Sequence, residues 1–395
     1  MKRFLIIILL AIGAASCRQG GSQGRHPASA TDSTSLAGYW YKRYTGTIAG
    51  QQVVVNLYHY GEHDPENGFV AVGGNYYYPN RSEIIDLSQL EHHGNQLALS
   101  EYVETGRDRD GSDERACTWR ITISGNKATG NWISKDSTRM YKIDLQEDYT
   151  GAYPLAVLHG EDSARYVPRK GKPSVMSADD IQLAPGSGMK PADAGFLVHT
   201  ILHTLGGDTL GVKDMQGMIK AGNREALKGY EHTMRQSDGG DEAAEGFNNW
   251  ESSSNTTCVY NDRGLLQLAF NYFGYYGGAH GNYGSTYLCI DMQEHQVWRL
   301  PDIIAVDTPQ LNKLLEAEAR RVFKMSPTDT LSNVLLVDTI PPTGNFIVSD
   351  RGITFCYNPY EIGAYVDGQI MLFIPFTKLQ PLITPAFRKR MGIQG

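Results

Sequence analysis

His280 is the one classical acid–base group in the connection Tyr275-Tyr276-Gly277-Gly278-Ala279-His280-Gly281-Asn282. A histidine on a loop between rigid strands can contact a ligand or move a proton. On a second loop, Asn358-Pro359-Tyr360-Glu361, the carboxyl of Glu361 can serve as an acid or base, or accept hydrogen bonds from sugar hydroxyls. Tyr275, Tyr276, Tyr283 and Tyr357 would join it in an aromatic and carboxylate surface suited to a glycan or a protein partner. Tyr276, His280, Tyr360 and Glu361 are therefore the candidate ligand-binding residues. His280 and Glu361 would be the acid and base if the chain were instead a hydrolase.

Other constellations are weaker. His199 and His203 stand four apart on an expected helix and so share a face, but Thr200 occupies the place where a zinc-protease helix needs its glutamate. Asp108-Arg109-Asp110-Gly111-Ser112-Asp113-Glu114 alternates carboxylates without completing a calcium loop, and His92-His93 fits a solvated turn. No serine nucleophile elbow, phosphate loop or cysteine–histidine signature occurs. Nothing in these patterns implies a metal or a cofactor, and no catalytic residue is assigned.

The elements that must position the two loops are mostly strands. Asn261-Asp262-Arg263-Gly264 is a hairpin signal, and it separates an apolar strand, Leu265 to Phe273, from one before it. With Ser285 to Asp291, these form a three-stranded meander from about Thr256 to Asp291. Thr308-Pro309 starts a helix whose stripe is Leu311, Leu314, Leu315, Ala319, Val322 and Phe323. Asn345 to Val348, Gly352 to Tyr357 and Ile370 to Pro375 are further strands. This half is expected to be α+β, one antiparallel sheet packed by one or two helices.

Upstream, eight short strands are expected: 38–47, 51–60, 69–78, 83–88, 96–103, 116–124, 127–134 and 139–146. Tight turns between them predict an antiparallel β meander, closed or nearly closed into a barrel. Gly38-Tyr39-Trp40 and Gly130-Asn131-Trp132 share the Gly-x-Trp pattern of lipocalin-like barrels, and also suit two tryptophans plugging the sheet. In the middle segment, Tyr153 to Val157 and Ala164 to Val167 are short strand candidates, with a polar loop from Asp162 to Lys172. Helices are expected from Pro191 through His203 and from about Val212 through His232.

Tyr276-Gly277-Gly278-Ala279-His280-Gly281-Asn282, Leu288-x-Ile290-Asp291 and Leu300-Pro301-Asp302-Ile303-Ile304 resemble the C-terminal extracytoplasmic domain of RsiV-type anti-sigma factors, which also accompanies PdaC-type peptidoglycan deacetylases. A second block extends the likeness: Phe355-x-Tyr357-Asn358-Pro359-Tyr360-Glu361-Ile362-Gly363-Ala364-Tyr365, then Gly368 and Phe373-Ile374-Pro375-Phe376. The resemblance covers about 248–382. It implies an RsiV-like α+β domain and, from the sensing role of that domain, lysozyme as a possible protein ligand. The transmembrane helix and sigma-binding part of those factors have no counterpart in this sequence, so sigma-factor control is not implied. Nor is the separate catalytic domain of the deacetylases present.

Composition bounds the rest. The chain has 395 residues, 41% hydrophobic and 20% charged, which is globular in type. A net charge of −7 gives no footprint for nucleic acid. Lys2-Arg3, the apolar run Phe4 to Ile12 and Ala14-Ala15-Ser16 before Cys17 resemble a lipoprotein signal peptide, with Cys17 as the lipidated residue. Residues 1–16 are then the signal and 17–35 a flexible tether. Residues 36–148 form the β-rich domain, and 149–395 the α+β domain (149–247 preceding its 248–395 core). Cys117, Cys258, Cys289 and Cys356 lie in apolar strand contexts and are expected as buried thiols. These features place the chain in the bacterial cell envelope, lipid-anchored and extracytoplasmic. They favour a non-catalytic binding module for an envelope glycan or a lysozyme-like protein over a cell-wall hydrolase or a structural envelope protein.

Overall fold

The computed structural model describes residues 38–61, 72–79, 84–102, 117–168, 172–237, 249–305 and 308–393. Cys17, the signal and tether segments and the Asp108–Glu114 loop lie outside them. Ser35–Gly395 forms one compact unit.

All eight upstream strands are present: β1 (Tyr39–Ile48), β2 (Gln51–Tyr60), β3 (Val72–Tyr77), β4 (Ile85–His93), β5 (Gln96–Tyr102), β6 (Cys117–Ser124), β7 (Lys127–Ser134) and β8 (Met140–Glu147). Each pairs antiparallel with the next, and β1 also pairs with β8, from Tyr44↔Glu147 to Ile48↔Ile143. The barrel is therefore closed. β4 runs on to His93, past the Ser88 expected, with an irregularity between Gln89 and Glu91. Eight strands leave an interior just wide enough for side chains. Tyr44, Val55, Leu57, Leu99 and Trp119 fill it.

Both Gly-x-Trp tryptophans pack against that core, as plugs would. One end also buries a carboxylate. Glu101 Oε1 accepts from Tyr76 Oη at 2.6 Å, Trp119 Nε1 at 2.8 Å and Trp132 Nε1 at 2.7 Å.

The second part holds β9 (Leu155–Tyr166), β10 (Ser174–Pro185), α1 (Pro191–Thr204), α2 (Gly207–Leu210), α3 (Met215–Ser237), β11 (Trp250–Asp262), β12 (Leu265–Tyr275), β13 (Asn282–Asp291) and β14 (Gln296–Trp298). Its strands order as β14-β13-β12-β11-β10-β9. The meander β11-β12-β13 and its hairpin are as expected, with Arg263 and Gly264 both at positive φ in the turn.

Two expectations fail here. Tyr153–Val157 and Ala164–Val167 belong to one long strand, so Asp162 and Arg165 sit within β9 and not in a loop. β10 was not foreseen, because Asp179 and Asp180 in mid-run disguise it. Burial of Asp180 raises its pKa. The carboxylate is held by hydrogen bonds from Ser254 Oγ, at 2.6 Å, and from Gln182 Nε2. α1 and α3 cover one face of the sheet, with Leu197, Ile201, Leu202, Met215 and Met218 packed on Leu183, Leu266 and Leu268.

The remainder is α4 (Leu300–Ile303), α5 (Thr308–Val322), β15 (Phe346–Val348), β16 (Gly352–Tyr357), β17 (Ile370–Pro375), α6 (Phe376–Leu379) and α7 (Pro385–Met391). The last three strands form a second, separate sheet, β15-β16-β17, where one sheet was expected. The free edge of β13 explains the split. It receives the side chains of Asn345 and Asn358, which flank strands of the second sheet, instead of a strand, as described below. Leu311, Leu315 and Ala319 of α5 pack on Phe355, Leu372 and Ile374.

The barrel wall is docked on β11 by buried polar groups. Arg43, 1% exposed, donates from Nε to Asn261 O at 2.7 Å and from Nη1 to Asp148 O at 2.6 Å, and pairs with Asp262 at 3.2 Å. Tyr60 Oη donates to Thr256 O and Asn75 Nδ2 to Cys258 O. Buried polar groups must be paired in this way, and a satisfied network fixes one docking geometry.

Cys117, Cys258, Cys289 and Cys356 are free thiols, the last three buried. Burial pushes Cys258 and Cys289 up to about 12, which leaves them as thiols at neutral pH. Among the described residues no helix is long and apolar enough to cross a membrane.

Candidate functional site

The β12–β13 connection is held by its own residues. Tyr275 Oη donates to Gly278 O at 3.0 Å. Gly278 has φ +104°, a conformation that requires glycine. A Cβ on Gly281 would lie 2.5 Å from the Phe273 ring, so that position needs glycine for close approach. His280 Nδ1 donates to Gly281 O at 2.8 Å, which fixes the ring beside the backbone.

The ring of His280 stacks on Tyr365, with centroids 3.9 Å apart and planes 25° apart. Tyr365 is the hub. Its hydroxyl donates to Gly281 O at 2.8 Å. Its ring also meets Tyr283 at 5.6 Å and Tyr360 at 5.8 Å. Four aromatic rings thus share one surface, three of them named in the sequence reading.

The loop that carries Tyr360 and Glu361 is fastened to β13 through Asn358. Ser285 N donates to Asn358 Oδ1 at 2.8 Å, and Asn358 Nδ2 donates back to Ser285 O at 3.2 Å. Asn345 repeats the device, taking Tyr287 N at 2.8 Å and giving to Ser285 O at 2.9 Å. The two side chains stand in for a strand on the edge of β13, whose ladder with β14 covers only Cys289–Asp291. Asn358 Nδ2 also lies 3.5 Å from Glu361 Oε1. Glu361 is exposed and follows Tyr360 directly in the chain. Tyr360 is 54% exposed, with its backbone at φ +72°, a strained setting for a tyrosine. Val366, next to Tyr365 in the chain, is 78% exposed, and Leu336 is 58% exposed. Leu336 N bonds Ile362 O in the same loop.

His280, Tyr360 and Glu361 thus belong to one surface region, and Tyr276 does not. Its ring turns over β11, edge-on to Trp250 at 5.5 Å, with its hydroxyl 3.4 Å from Ser252 Oγ. Tyr357, expected on the surface, is buried and donates to Pro341 O at 2.7 Å. β-strand alternation accounts for it, since Phe355 and Tyr357 both point into the core under α5. The residues not singled out from sequence are Tyr365 and Asn358. Both stand in the Asn358–Tyr365 block, and an Asn-Pro dipeptide before a loop marks the clamp position.

His199 and His203 stack at 6.3 Å, and His203 Nδ1 bonds Asp208 at 2.7 Å. Among the described residues no three His, Cys, Asp or Glu side chains lie where they could hold a metal ion. The arrangement offers ring faces, a carboxylate acceptor and exposed apolar side chains: chemistry for contact.

The site is thus built on the sheets, helices and loops that follow the barrel. Residues 301–377, which carry Tyr360, Glu361 and Tyr365, match the family model DUF3298, a protein of unknown function. A crystal structure of a DUF3298 family member from Bacteroides fragilis NCTC 9343 is 22% identical, with a TM-score of 0.54 over 62% of this chain and all of that one. A DUF3298 family protein from Pseudomonas aeruginosa PAO1 is 18% identical, with a TM-score of 0.41 over 59% of this chain and 96% of that one. The first likeness is one of fold. No curated protein matches the chain.

Proposed function

We propose that the chain is a non-catalytic binding module of the bacterial cell envelope. It is lipid-anchored through Cys17, and it presents the His280–Tyr365 platform to an envelope glycan or to a protein ligand such as lysozyme. The observation that carries this reading is the platform itself. His280, Tyr283, Tyr360 and Tyr365 meet through their rings beside Glu361, on loops clamped to a rigid sheet edge. Exposed aromatics held in place bind with little loss of side-chain freedom, and they supply apolar area with a polar rim.

The test is to incubate the intact chain with insoluble peptidoglycan and, separately, with lysozyme, and to measure binding and released product together. The reading expects binding without turnover, weakened by Tyr360→Ala and His280→Ala. Turnover that His280→Ala abolishes would instead make the chain a hydrolase.

A further inference from the structure

The barrel, the six-stranded sheet and the three-stranded sheet together enclose a cleft of about 340 Å3. That is within the range of small-molecule sites. No one of the three builds it alone. Its floor is a row of cross-strand partners, Asn255, Asn271 and Ser285, with Thr257 in the next row. Directly opposed residues share a sheet face, so these groups point the same way. Tyr58 of the barrel and Phe373 of the second sheet supply facing walls.

The floor is ordered by its own bonds. Asn271 Nδ2 donates to Asn255 Oδ1 at 2.9 Å, and Ser285 Oγ donates to Asn271 Oδ1 at 2.6 Å. This leaves Asn255 Nδ2 with no hydrogen bond among the described residues. Tyr58 Oη likewise has none, although the ring is firmly placed. It stacks on Tyr60 at 4.3 Å and lies so close over Gly73 that a Cβ there would be 2.6 Å from Tyr58 Oη. A tyrosine hydroxyl inside a folded chain usually finds a partner. Here it lines a cleft instead.

The charge balance narrows the occupant. Asp86 and Arg321 are the charged lining residues, of opposite sign, and Arg321 is held by Glu318 at 2.6 Å. The other polar lining groups are amides and hydroxyls, which both donate and accept. A neutral ligand rich in hydroxyls, with an amide and a flat apolar face for Tyr58 or Phe373, satisfies them. We infer that the cleft binds a neutral N-acetylated saccharide of one or two rings.

This rests on the reading of the chain as a binding protein and names the unit it takes. Cleft and platform are joined through Asn358. Gln369, a lining residue, donates to Asn358 Oδ1 at 2.9 Å, on the residue that clamps Ser285 and carries the Tyr360–Glu361 loop.

The experiment is a titration of the intact chain with N,N′-diacetylchitobiose, with cellobiose and tri-alanine in parallel arms. It is repeated on Tyr58→Phe, Ala269→Met and Tyr360→Ala. Tyr58→Phe removes a hydroxyl that no hydrogen bond uses among the described residues, so the thermal midpoint should stay unchanged. Affinity for the acetylated disaccharide should fall about five-fold, the worth of one hydrogen bond. Ala269→Met narrows the cleft from its floor and should weaken binding further. Tyr360→Ala, on the platform, should reduce retention on peptidoglycan. Cellobiose should bind more weakly than the acetylated sugar. Disaccharide binding that is absent, or indifferent to Tyr58→Phe and Ala269→Met, would overturn the site. Preference for tri-alanine or cellobiose would overturn the ligand class. Neither result touches the platform, whose failure shows instead as peptidoglycan or lysozyme binding indifferent to Tyr360→Ala.

Discussion

The side-chain amide of Asn358 pairs with both backbone groups of Ser285, accepting from its N–H at 2.8 Å and donating to its C=O at 3.2 Å. One residue thereby finishes an open sheet edge and fixes the loop that carries Tyr360 and Glu361. Asn358→Leu removes both bonds and leaves the N–H of the buried Ser285 unsatisfied. Stability should fall by about 1–3 kcal/mol, measured by urea denaturation, and ligand retention should fall with it.

Tyr360 sits at φ +72°. A non-glycine residue there costs about 1–2 kcal/mol, partly offset in a glycine variant by the extra freedom of its unfolded chain. Tyr360→Gly should therefore keep or slightly raise the thermal midpoint while weakening ligand binding. A thermal scan beside a binding isotherm separates the two effects. A destabilised variant would mean that the Tyr360 ring holds the loop, in place of presenting a surface.

Glu101 carries three donors on one oxygen inside the barrel, two of them tryptophan N–H groups. Glu101→Leu would strand all three, at roughly 3 kcal/mol or more. Loss of the near-ultraviolet tryptophan signal at a lower temperature than in the parent chain is the expected result.

Asp291 is fully buried and lies 2.6 Å from Arg390 Nε. Burial pushes its pKa up, but hydrogen bonds from Arg390, Glu294 N and Gln293 N outweigh this and hold it below the ordinary value. A depressed folded-state pKa contributes stability above the unfolded value of about 3.9, and that stability is lost as pH falls through the folded value. Arg390→Met should cost about 3 kcal/mol near neutral pH by leaving a buried charge unpaired. The gap from the parent chain should shrink below about pH 4, which denaturation at several pH values will read.

The barrel was legible because its turns are punctuated and its strands short. Lys127–Ser134 and Gln51–Tyr60 fall where their sequence places them. β10 was not, because its buried Asp180 depends in part on a hydrogen bond from Ser254, a residue far along the chain. The same limit explains the single sheet expected in place of two. The separation depends on Asn345 and Asn358 occupying the β13 edge, a long-range pairing that carries no periodicity. Within the site, local chemistry marked His280, Tyr360 and Glu361. Tyr365 as their hub, and Tyr276 turning away towards Trp250, are consequences of how the strands are arranged.

The most direct test of the platform is retention of the intact chain on insoluble peptidoglycan and on immobilised lysozyme, compared with Tyr360→Ala and His280→Ala at matched stability. The account predicts saturable binding of the parent chain to one of the two, weakened at least several-fold in both variants, with no soluble product released. Equal retention of all three chains, or product release that depends on His280, would contradict it.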